Sequence, residues 1–200
     1  MPAPTTPFNI SYETDHYLIR EMELSDASDT IGGWMADPVI ARAVNAPARA
    51  TSMDDLRRYI AGHNRIDGHL LGVFDKHTKA QIGLWSVYVD WDHMEFLINV
   101  LLTARGHAEL APSRETGRPL LFIMFNDLGM ERMRFNVLSS NQRVKQHLVN
   151  RQPEHASQAP SATGSGTEEI HHYSVSRQEY FKLREARLQK EAEELLQKAG

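Results

Sequence analysis

Apolar and polar residues alternate over the second half of Tyr17–Leu24 (YLIREMEL), the period of a strand with one face buried. Ser25-Asp26 follows as an N-cap pair. Ile31, Trp34 and Met35 then recur at helical spacing, until Asp37-Pro38 disfavours helical geometry and ends the run. Thr51 or Ser52, backed by Asp54 and Asp55, caps a second helix with Leu56, Tyr59 and Ile60 on one face. After Gly68 the period returns to two. His69–Asp75 and Ala80–Val89 read as a hairpin around the turn Lys76–Lys79, and Glu95–Leu102 as an apolar third strand beyond a polar turn at Asp90–His93. A helix around Leu120–Phe125, a strand at Arg132–Leu138 and a helix over Asn141–Asn150 follow.

Residues 1–10 carry three prolines and read as a flexible leader. Residues 152–167 (QPEHASQAPSATGSGT) lack large apolar side chains and read as a mobile loop inside a domain spanning 11–176. Ile170–Val175 returns to strand, and 177–200 is a long charged helix without an internal breaker. This order of elements predicts an α/β (α+β) domain built around one central sheet.

Composition narrows the chemistry more than the fold. The 200 residues include no cysteine, which removes disulfides, thiolate nucleophiles and cysteine-ligated metals. A net charge of −4 offers no general attraction for nucleic acid or an anionic membrane. The stretch MPAPTTPFNISYETD has neither a basic nor an apolar signal region, and no apolar run reaches the roughly 20 residues of a membrane span. A soluble, cytoplasmic protein is expected. His171-His172 lies in a strand, where adjacent side chains point to opposite faces, so the pair cannot chelate one ion and no metal site is expected.

One segment carries a chemical signal. Thr103-Ala-Arg-Gly-His-Ala108 stands between an apolar strand and a helix. A glycine there lets backbone N–H groups converge on an anion, the helix N-terminus adds partial positive charge, and Arg105 adds a fixed one. The arrangement suits a pyrophosphate; an ordinary strand-to-helix turn is the plainer alternative.

The surroundings of that loop carry a resemblance. YLIREMELSDASDTIGGWMADPVIARAV, AQIGLWSVYVDWDHMEFLINVLLTARGHA and ETGRPLLFIMFNDLGMERMRFNVLSSN resemble, in order and spacing, the ribosomal-protein N-acetyltransferase branch of the GNAT superfamily, across most of residues 17–150. The resemblance implies a GNAT acyltransferase fold: a mixed, mostly antiparallel twisted sheet flanked by helices, with acetyl-coenzyme A as co-substrate. It casts Val100, Leu101 and Leu102 as the strand edge that receives the pantetheine arm, and Arg105, Gly106, His107 and Ala108 as the pyrophosphate loop. Asn141 would reach the cofactor arm or an ordered water, Glu95 would be the base, and Trp34 and Met35 would line the acceptor pocket. The activity implied is direct transfer of an acetyl group to a primary amine of a protein N-terminus or small molecule.

The departures are equally plain. Ala108 replaces the second glycine of the loop, three extra residues including Pro112 separate Arg105 from Glu115, and the helix is expected to start near Pro112 or Ser113. Val144 and Leu148 stand where the family has serine and tyrosine, and the Gly-Phe after that helix is missing. A catalytically degenerate GNAT-fold protein that binds a ligand or protein partner is therefore the alternative. Several single residues have structural readings beside these: Glu95 as a solvent-facing strand end, His147 as a surface histidine, Trp34 and Trp85 as core. Phe181, Leu188 and Leu195 recur every seven residues, which suits either a homodimer seam or a helix packed along its own domain.

Overall fold

The computed structural model describes residues 3–38, 40, 51–103, 111–141, 154–160 and 169–199. Strands β1 (Ser11–Glu13), β2 (Tyr17–Glu21), β3 (Gly68–Asp75), β4 (Gln81–Asp90), β5 (Glu95–Leu102), β6 (Arg132–Leu138), β7 (Glu154–Pro160) and β8 (Glu169–Ser176) form one sheet. Their order is β1-β2-β3-β4-β5-β6-β8-β7, and every neighbouring pair is antiparallel except β5 and β6. The helices are α1 (Asp29–Ala36), α2 (Met53–Ala61), α3 (Ala111–Phe122) and α4 (Arg177–Ala199).

Strand alternation sorts the side chains into two cores. On one face Leu71, Val73, Trp85, Val87 and Phe96 pack with Leu120, Met124 and Phe125 from α3 and the turn after it, joined by Tyr180 and Phe181 of α4. On the other face Leu70 and Leu84 pack with Ile31 of α1 and with Leu56 and Ile60 of α2. That second cluster stops at β4.

Helix α3 is seated by three contacts. A Cβ on Gly117 would come within 3.1 Å of the Trp85 ring, so glycine lets the helix lie this close to β4 without displacing the indole. Trp85 Nε1 donates to Thr116 Oγ1 at 3.1 Å, and Tyr12 Oη donates to the Thr116 carbonyl at 2.6 Å. Trp85 is a core residue, as its spacing suggested. Pro119 supplies no N–H inside α3, and the helix widens into a π turn at Ile123–Asp127 just beyond it.

The structure corrects several sequence expectations. The flexible leader does not extend to residue 10: Ile10 is buried, Phe8 packs into the first core, and the Phe8 N–H donates to the Arg65 carbonyl at 3.0 Å. Two large apolar residues outweigh the prolines. The expected mobile loop at 152–167 contains strand β7, because pairing with β8 satisfies its backbone. Asp26 does not cap α1. It closes a 3-10 turn at Leu24–Asp26 and accepts both guanidinium nitrogens of Arg20 at 2.7 Å, while α1 starts behind Ser28. Helix α3 already includes Ala111. Phe181 is taken up by the core, so the expected seven-residue seam reduces to Leu188 and Leu195, both exposed together with Leu196.

Candidate active site

The two parallel strands separate almost as soon as they meet. β5 and β6 are in register only at Glu95/Arg132, Phe96/Met133 and Leu97/Arg134. Beyond Leu97, β5 stays paired to β4 through Leu102, while β6 continues along β8. The sheet thus opens into a wedge, and alternate backbone N–H and C=O groups of β5 from Ile98 onward face it without a strand partner on that side.

The wedge opens at the carboxyl ends of both strands. Thr103 follows β5, its N–H and Oγ1 donating to the Ile82 carbonyl at 2.9 and 3.1 Å. Asn141 closes a turn after β6 by donating its N–H to the Leu138 carbonyl at 2.9 Å. A crevice outside the carboxyl ends of diverging parallel strands is where open α/β sheets take ligands, and here helix α3 follows β5 across a short connection. Val100, Leu101 and Leu102 line the unpaired part of β5, with Val100 exposed. Arg105, Gly106, His107 and Ala108 lie outside the described residues, as do Val144, His147 and Leu148.

At the closed end, Glu95 is engaged rather than open. Arg134 Nη2 donates to Oε2 and Arg132 Nε lies 3.4 Å from Oε1, so one carboxylate ties β5 to β6. Its side chain is 16% exposed. Arg132 Nη1 also donates to Ser174 Oγ at 3.1 Å, extending the tie to β8.

Next to this clamp is a polar cluster that sequence reasoning passed over. Tyr88 of β4 faces Leu97, the last β5 residue still in register with β6. Its hydroxyl, on a residue 41% exposed, lies 3.4 Å from His63 Nε2. His63 Nδ1 lies 2.9 Å from the Tyr59 carbonyl oxygen, which only accepts. The ring proton of a neutral His63 therefore sits on Nδ1, and Nε2 presents a lone pair to the Tyr88 hydroxyl. Burial holds the His63 pKa below its ordinary value, against the opposing effect of the Tyr59 carbonyl. Burial also pushes Tyr59 up to about 12, with Tyr88 adding to the rise. The only sequence signal for this cluster is the four-residue spacing of Tyr59 and His63 across the end of α2.

Trp34 and Met35 pack against the same cluster as Tyr59. Both are partly buried against the second core beside Ile31, Leu56 and Ile60. Among the described residues no group of His, Asp and Glu is placed to hold a metal ion, and no helix is long and apolar enough to cross a membrane.

No family model matches the chain, and no curated protein matches its sequence. Solved structures do match. A GCN5-related N-acetyltransferase from Brucella melitensis superposes with a TM-score of 0.72 at 12% identity, over 92% of this chain and 86% of that one. The fold is that of the GNAT acetyltransferases. Spermidine N-acetyltransferase from Vibrio cholerae, solved with CoA and spermine, gives a TM-score of 0.71 at 15% identity, over 82% of this chain and 98% of that one. Ribosomal-protein-S5-alanine acetyltransferase from Vibrio fischeri gives 0.67 at 16% identity, over 84% and 97%. The wedge between β5 and β6 thus lies in a sheet of the GNAT fold.

Proposed function

We propose that this chain is an acetyl-coenzyme A-dependent N-acetyltransferase acting on a primary amine of a small molecule or a protein N-terminus. The observation that carries the reading is the wedge: three residue pairs join β5 to β6, and the rest of β5 keeps an open edge. An extended amide-bearing arm adds to such an edge as a strand adds to a sheet. The edge formed by Val100, Leu101 and Leu102 would hold it, and the segment from Thr103 into α3 would take the pyrophosphate, with Arg105 as its cation. Asn141, at the end of β6, would face the same opening. Bound acetyl-coenzyme A supplies an activated acyl group; the chain's part is to orient the amine against it, remove a proton and keep both partners aligned.

A second reading, a GNAT fold that binds a ligand or protein without chemistry, has one observation on its side. Glu95, which the resemblance casts as the base, is already engaged by Arg132 and Arg134. Calorimetric titration with acetyl-coenzyme A, followed by release of free CoA in the presence of spermidine or an alanine-terminated peptide, separates the two readings. Binding with turnover supports the first, and binding without turnover on a broad amine panel the second. Absence of binding at millimolar concentration ends the first. Arg105→Ala should weaken acetyl-coenzyme A about tenfold or more through loss of a charge-assisted contact.

A further inference from the structure

The base suggested by the resemblance is occupied, yet β4 carries another group able to accept a proton, level with the point where β5 and β6 part. We infer that Tyr88 takes the proton from the acceptor ammonium while passing its own hydroxyl proton to His63 Nε2. This rests on the acetyltransferase reading above and deepens it. The positions are specific. Tyr88 is in register with Leu97 at the point where β5 and β6 part, and the residue is 41% exposed. The hydroxyl alone is too weak an acid to hold the proton's place in the relay; it serves because a neutral imidazole waits behind it.

His63 is set for that role by its neighbours. The Tyr59 carbonyl fixes the proton on Nδ1, so Nε2 is the accepting nitrogen. After transfer the imidazolium donates from both nitrogens, Nδ1–H to the Tyr59 carbonyl and Nε2–H to the Tyr88 oxygen, and no hydrogen bond is lost. The charged groups around it are Glu21 at the end of β2, His69 of β3, and Glu23 and Arg65, which line the same cavity of about 390 Å³ as His63. Glu21 favours the imidazolium and His69 opposes it. That cavity gives the proton a route to solvent.

The step balances. The acceptor ammonium gives one proton through Tyr88 to His63 and becomes a neutral amine. Its nitrogen lone pair forms the N–C bond as the C–S bond breaks, the thiolate leaves with that electron pair, and the second amine proton neutralises the thiolate. The net proton is the one on His63, which passes to water.

The relay predicts that His63→Ala and Tyr88→Phe each lower kcat about a hundredfold while acetyl-coenzyme A affinity stays unchanged. The double variant falls no further than either single one, because both act in one proton path. His63→Ala also loses the acidic limb of the pH–rate profile, and added imidazole restores part of its turnover. Nitrogen NMR on the free protein, with the His63 signals identified by their absence in His63→Ala, finds the Nδ1–H form. Tyr88→Phe removes the hydroxyl but keeps the ring, so it remains informative if His63→Ala fails to fold. Turnover on spermidine or the alanine-terminated peptide with an unaltered acidic limb in His63→Ala, or the Nε2–H form in the free protein, overturns the relay and leaves the acetyltransferase reading standing. Wild-type protein that binds acetyl-coenzyme A but acetylates no amine overturns both.

Discussion

At Gly83 a single methyl group is too much. An added Cβ would sit 2.3 Å from the Leu101 carbonyl oxygen and 2.6 Å from Leu102 Cδ2, against the part of β5 that forms one wall of the wedge. Backbone cannot retreat as a side-chain tip can, so Gly83→Ala should push β5 outward and cost about 1–3 kcal/mol of stability. Urea denaturation measures the loss; a midpoint equal to wild type would show that the strands have room to separate. Glu95 illustrates the same dependence on neighbours. Its position before Arg105 suggests a catalytic role, whereas its ion-pair partners are Arg132 and Arg134, close in space and far along the chain. No local pattern announces such a partner. With the carboxylate acting as a clamp, Glu95→Gln should lower the melting temperature and slow turnover while the acidic limb of the rate profile keeps its shape. A base requires the limb to disappear together with about a hundredfold in rate.

Elements with a strong period were the ones legible in advance. The bounds of β5 follow from its apolar run, those of β6 from its alternation, and α2 from its cap. The cap is a reciprocal box: the Asp55 N–H donates to Ser52 Oγ at 3.1 Å and the Ser52 N–H to Asp55 Oδ2 at 3.2 Å. Ser52→Ala should cost about 1 kcal/mol, read from the urea midpoint. Hydrogen bonds from Ser52, then from Arg58, hold the Asp55 carboxyl down at about 2. A lowered acid contributes stability that is complete above its unfolded-state value, near 4, and is lost as pH falls toward the folded value. The difference in urea midpoint between wild type and Asp55→Asn should therefore be present near pH 6 and shrink between about pH 4 and 2. A constant difference would assign the effect of the substitution to something other than the carboxylate's charge. Strand β7 was illegible for the opposite reason. EHASQAP has neither alternation nor apolar bulk, and its place comes from backbone pairing to β8 at the sheet edge, where a terminal proline such as Pro160 is tolerated. The segment Thr103–Ala108 stands out as a motif, but Ala104–Ala108 lie outside the described residues, so the geometry of the candidate site rests on what flanks them.

Across the whole molecule the sheet is two runs of strands with a narrow join. β1 to β5 form one run and β6, β8 and β7 another, connected by three residue pairs and the Glu95 clamp. On one face the join is covered by a shared core: Phe96, Met133 and Phe125 lie in the same buried cluster, and Tyr180 of α4 stacks on Phe125 at 4.6 Å. On the other face the apolar cluster stops at β4, and polar side chains take over. Opening of the smaller run therefore exposes less apolar surface than unfolding the larger one, and local opening follows the cheapest such division. Hydrogen exchange should find the amides of β6 and β8 less protected than those of β3 and β4 in the free protein. A ligand that spans the wedge contacts both runs and binds only when they are correctly spaced. At a hundredfold excess over its Kd, acetyl-coenzyme A adds about 2.7 kcal/mol to the opening cost. Protection should then rise in β6 and β8 as well as along β5, bringing the two runs closer together. Equal protection in the two runs of the free protein would mean that the shared core makes the sheet a single cooperative unit. A rise confined to β5 would mean that the ligand adds to one edge without bridging the wedge.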